Sequence, residues 1–111
     1  MSARNALLET PPYEVGQTLK TLGANLRTAR LLRGLTIEQI AERIGAGRRA
    51  VMDAEKGKPS TAIAIYIALL WALGLIDQMN DVAAPGKDAE GLALSVKRSR
   101  ARNREVLDND F

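Results

Sequence analysis

Apolar residues recur along this chain at steps of three and four, and no stretch alternates in the period-two manner of a strand. Val15, Leu19, Leu22, Leu26, Ala29 and Arg33 form one stripe of an amphipathic helix. Gly16 and Gly23 each weaken that helix by about 1 kcal/mol relative to alanine, so the pattern predicts a firm start only after Gly16 and an end at Gly34. Thr36, with Gln39 three residues on, predicts a capping box for a second helix whose inner face is Ile37, Ile40, Ala41 and Ile44. Gly45 closes it. A third helix spans Arg48 to Lys56, with Val51 and Ala54 turned inward, and stops at Gly57. Ser60 is the expected cap of "TAIAIYIALLWALGLI", a buried central helix interrupted at Gly74, and "LIDQMNDV" a short helix after it. "AAPGKDAEG" reads as turn and loop, and "LALSVKRSRARNREVLDNDF" as a mobile or conditionally helical tail.

The expected fold is therefore all-α: a compact five-helix domain over residues 16–83, preceded by an arm (1–15) and followed by a loop and flexible basic tail (84–111). With 111 residues there is room for one core. The uncharged run from Thr61 to Ile76 is shorter than the ~18–20 apolar residues a membrane span needs, so no membrane association is expected.

Composition removes several chemistries. The chain contains no cysteine and no histidine. It offers no thiolate nucleophile, no Cys-based zinc site and none of the commonest metal ligands. No nucleophile–base or metal constellation is visible, so neither an enzyme nor a cofactor is expected, and no small-molecule ligand. Residues 1–10 carry no apolar run of secretory length, and a cytoplasmic location is expected.

Charge is distributed in blocks. The net charge is +3, but Leu26–Lys58 holds eight basic residues against four acidic, and Lys97–Arg104 holds five basic residues and no acid. The intervening Pro59–Val96 has one cation, Lys87, and four acids. Two separate basic surfaces are implied, suited to nucleic acid or another acidic partner.

Two short helices joined through a glycine turn, the second rich in arginine, are what helix-turn-helix DNA binding requires. At "TIEQIAERIG" and "RRAVMDAEKGKPS", with Arg30 upstream and "LWALGL" downstream, the chain resembles the Xre/Cro/phage-repressor helix-turn-helix family. The resemblance covers roughly Leu19–Val82 and rests on the spacing of Ala41, Gly45, Val51, Glu55 and Gly57. Ala46 and Gly47 depart from it, standing where the family has a bulky residue and a Ser or Thr cap. The fold it implies is lambda-repressor-like. Within the family, "EKGKPS" and "ALLWALGL" look most like HipB-type antitoxins, which repress their own operon and bind a HipA-type kinase toxin. A stand-alone Xre-type repressor and a protein-binding scaffold are the alternatives.

That placement makes Arg48, Arg49, Ala50 and Asp53 candidate base contacts, with Met52 at the edge, and Thr36, Arg43, Lys56 and Lys58 candidate backbone contacts. Arginine's fork matches guanine O6 and N7; Arg48 is open to a phosphate instead. Asp53 either pairs with Arg49 one turn away or accepts from a cytosine amino group. Glu55 faces inward and needs a cation, and the family resemblance assigns that role to Arg30 in a structural ion pair. Tyr66, Leu70 and Trp71 are expected in the core or at a homodimer interface, and the operator as a pseudopalindrome. The tail is left open between a solvated end, DNA backbone contact and a protein partner.

Overall fold

The computed structural model describes residues 5–109; the first four residues of the expected arm and the last two of the tail lie outside that span. The described chain holds six α-helices and no strand: α1 (Ala6–Glu9), α2 (Tyr13–Leu32), α3 (Ile37–Ile44), α4 (Arg48–Glu55), α5 (Ile63–Ala72) and α6 (Ala89–Asn109). Two 3-10 segments, Ile76–Asp81 and Pro85–Lys87, lie between α5 and α6. None of the helices is long and apolar enough to cross a membrane.

The chain divides after Ile76 into two units, earlier than the boundary expected at residue 83. The reason is local: α5 stops short of Gly74, and neither 3-10 segment contributes a buried residue.

In the first unit α4 is the hub, packing against α2, α3 and α5. Leu26, Ile40, Ala41, Val51, Ala54, Tyr66, Leu69, Leu70 and Leu73 form its apolar core. The α3 capping box is made on both sides, Gln39 N donating to Thr36 Oγ1 at 3.1 Å and Thr36 N to Gln39 Oε1 at 2.8 Å. Gly45 ends α3 in the left-handed conformation (φ 72°), which a side chain would strain.

Several expectations need correction. Helix α2 begins at Tyr13, three residues before Gly16: Pro12 sets the entry, Glu14 complements the N-terminal dipole, and Gly16 N bonds to Pro12 O at 3.1 Å, outweighing one glycine's cost. Its buried residues are Gly23, Leu26 and Arg30. The inward stripe is thus rotated from the one drawn through Leu22, Ala29 and Arg33, and Arg33 is exposed, donating to Ala29 O. Ser60 does not cap α5. Thr61 N bonds back to Lys58 O at 3.1 Å, holding Ser60 in a turn, and α5 starts after Ala62 without a side-chain cap.

In the second unit the expected flexible tail is a 21-residue helix. Asp88 caps it, its Oδ1 accepting from Gly91 N at 2.9 Å. The segment that follows is dominated by Ala, Leu, Arg, Lys and Glu and has no proline, a composition with high intrinsic helix propensity.

Candidate nucleic-acid interface

Helix α4 is held from behind by α2. Gly23 lies so close that a Cβ built on it would sit 2.6 Å from the carbonyl oxygens of both Ala54 and Glu55. Gly57, at φ 70°, similarly rests against the Leu19 carbonyl with no space for a side chain. Further along α2, Arg30 meets Glu55 in a bidentate pair, Nε to Oε2 at 2.7 Å and Nη2 to Oε1 at 3.0 Å. Arg30 Nη1 also donates to Leu35 O at 2.8 Å, tying in the loop before α3. The two side chains are only 8% and 7% exposed. Hydrogen bonding to Glu55 holds the Arg30 pKa above the ordinary arginine value despite the opposing effect of burial.

The opposite side of α4 faces solvent. Its first turn holds Arg48 and Arg49 and no acid, and Gly47 supplies no side-chain acceptor for the free N–H groups. Two cations, unbonded amides and the positive end of the helix dipole converge there, an arrangement that favours a bound anion. Arg49 is the more exposed of the two, its side chain 77% exposed against 63% for Arg48. Arg48 turns back toward α3, its Nε 3.4 Å from Glu38 Oε1. Both partners of that pair are exposed, and such a pair is worth about 0–1 kcal/mol, so a phosphate can replace the carboxylate.

Of the two readings of Asp53, the structure makes the pairing. Its Oδ1 lies 3.5 Å from Arg49 Nε and 3.6 Å from Lys58 Nζ, the side chain being 22% exposed. These are ion-pair separations without a hydrogen bond to that oxygen. Lys58 therefore has a carboxylate partner as well as solvent. Ala50 and Met52 are half-buried, while Thr36, Arg43, Lys56 and Lys58 are exposed. Met52, Ile37, Arg27 and Lys56 line a shallow pocket of about 240 Å³ over the Arg30–Glu55 pair.

Tyr66 and Leu70 belong to the core, whereas Trp71 is 56% exposed. Tyr66 donates its hydroxyl to Lys58 O at 3.1 Å, bracing the segment that follows α4. Burial pushes its phenol up, with the Thr61 hydroxyl opposing and the Asp53 charge reinforcing the shift. Ile63 is exposed on the same helix as Trp71.

Sequence reasoning missed Glu38 as a partner of Arg48 and Lys58 as a partner of Asp53. Neither pair lies at an i,i+4 helical spacing that would advertise it. It also missed the close approach at Gly23. Among the described residues no group of three or more acidic residues is placed to hold a metal ion. No family model, curated protein or solved structure matches this chain, which leaves function to be read from sequence and geometry.

Proposed function

We propose that α3 and α4 are the scaffold and recognition helices of a helix-turn-helix, and that the protein is a sequence-specific, double-stranded DNA-binding repressor acting as a homodimer. The observation that carries this reading is the N-terminus of α4: uncapped by any side chain, lacking acids, and flanked by exposed Arg48 and Arg49 on a helix anchored through Gly23 and Arg30–Glu55. In this reading Arg49 reads guanine and Arg48 exchanges Glu38 for a phosphate. Asp53 orients Arg49 rather than meeting a cytosine, because two cations already hold it. Arg43, Lys56, Lys58 and the Thr36 hydroxyl face the backbone. Ile63 and Trp71, exposed on α5, are the apolar surface offered to a second copy.

The test is enrichment of bound sequences from a randomised duplex library, expected to yield a guanine-containing pseudopalindrome with half-site centres about one helical turn apart. On that site Arg49→Ala should reduce preference over a guanine-replaced variant by ~1–3 kcal/mol, while Lys58→Ala weakens both duplexes alike. An unchanged preference ratio in Arg49→Ala would remove α4 as the reading helix. The antitoxin role rests on the sequence likeness to HipB-type proteins. It is tested by co-purification with a kinase-like product of the adjacent reading frame; failure to retain one leaves the stand-alone repressor.

A further inference from the structure

Helix α6 is not used by the interface above, and its charge pattern is unusual. By helical spacing, Ala89, Leu92, Val96, Ser99, Asn103 and Val106 follow one another at steps of three, four, three, four and three, forming a single uncharged stripe. Every cation lies to one side of it or the other. At 3.6 residues per turn, Arg100, Arg104 and Lys97 sit about 60–120° to one side, and Arg102 and Arg98 about 100–140° to the other. All five cations are exposed, and no ion pair joins any of them to a described side chain. Leu92, Val96 and Val106 are half-exposed along the stripe.

We propose that α6 is a second DNA-binding element, lying in a major groove with its stripe toward the base edges and its two cationic rows toward the two phosphate walls. Three observations select this occupant. A helix with side chains is about 10–12 Å across and the major groove is about 12 Å wide, so cations on both flanks reach both backbones. From Lys97 to Arg104 the helix advances about 10 Å, and that length of duplex carries about six phosphates, a close match to five cations. Where the cations flank it, between Lys97 and Arg104, the stripe carries Ser99 and Asn103, hydrogen-bonding side chains that suit base edges; an amide pairs with adenine N6 and N7. A lipid surface would instead want an apolar stripe between the flanking cations. A second copy packed along the stripe would bring four arginines, Arg100 and Arg102 from each chain, alongside one seam with no acid between them.

This inference needs no contribution from α4, and the two are separable. The full-length protein, Arg98→Gln/Arg100→Gln/Arg102→Gln and Arg48→Gln/Arg49→Gln are titrated with a mixed-sequence duplex of 30 base pairs at several salt concentrations. Gln is nearly as good a helix former as Arg, and far-ultraviolet circular dichroism checks that α6 persists. The triple variant should lower the slope of log affinity against log salt by up to ~2.7, at ~0.9 for each phosphate no longer neutralised. The same decrement should appear when the three changes are added to the Arg48/Arg49 variant. An unchanged slope overturns the proposal even if α4 proves to read DNA. Library enrichment should also give a second, adenine-containing element that Asn103→Ala loses while keeping the first; a single element in both removes α6 from the groove. Sedimentation closes the remaining route: a Leu92→Asp/Val96→Asp variant that turns dimer into monomer would make the stripe a self-association seam and overturn the proposal.

Discussion

Alanine in place of Gly23 tests whether α2 and α4 meet as described. Intrinsic propensity alone says that the change stabilises α2 by about 1 kcal/mol. Tertiary packing reverses the sign. The new Cβ falls 2.6 Å from the Ala54 and Glu55 carbonyl oxygens and 2.8 Å from the Glu55 carbonyl carbon. Ordinary contact begins near 3.4 Å, so the helices must part by about 0.8 Å, the difference of 3.4 and 2.6. The obstacles are backbone atoms, which cannot swing aside as a side chain would. Overpacking of this kind costs about 1–3 kcal/mol, and a gap of 0.5–1 Å forfeits a quarter to a half of the dispersion energy between the packed atoms. The displaced segment also includes Glu55 itself, so the bidentate geometry with Arg30 loosens at the same time. Against the propensity gain, the net expectation is a loss of up to about 2 kcal/mol, and for a unit of this size each kcal/mol lowers Tm by about 4–8 °C. Gly16→Ala calibrates the assay: its nearest neighbour is Pro11 Cγ at 3.9 Å, so it should gain about 0.5–1 kcal/mol. Urea and thermal unfolding of both variants give the answer. A Gly23→Ala protein at least as stable as the parent would refute the close α2–α4 approach.

Two further outcomes follow from the buried polar groups. Glu55→Ala strands the Arg30 guanidinium behind α4 and should cost ~3–5 kcal/mol in urea unfolding; a loss under about 1 kcal/mol would show the pair to be solvated. Burial raises the folded-state pKa of Tyr66 above the ~10 of an exposed tyrosine, so its contribution is complete below about pH 10 and lost as pH rises through the folded value. Tyr66→Phe should therefore lose about 0.5–1.5 kcal/mol at neutral pH with its bond to Lys58 O, yet show a shallower decline in alkali. Equal alkaline slopes in denaturation series would show that the phenol is not desolvated.

Much of the first unit was legible along the chain because its signals are local. The Thr36–Gln39 capping box and the stops at Gly45 and Gly57 each depend on backbone geometry within a few residues, and all appear where the pattern put them. The Arg30–Glu55 pair was available through the family resemblance, being 25 residues apart in sequence. For the tail the sequence left mobile and conditionally helical states open; the helix has a local cause, since its residues are strong helix formers and Asp88 supplies a cap.

The sequence by itself determined the helical class, the short α3–turn–α4 unit and the two arginines that open α4, since periodicity, caps and glycines act over one or two turns. Only the tertiary structure decided the inward face of α2, where the small size of Gly23 matters more than its helix propensity. It alone directed Arg48 to Glu38 and Lys58 to Asp53, and left Trp71 exposed while burying Tyr66. Those outcomes depend on how closely helices distant in sequence approach one another, and a pattern read along a single helix carries no measure of that distance.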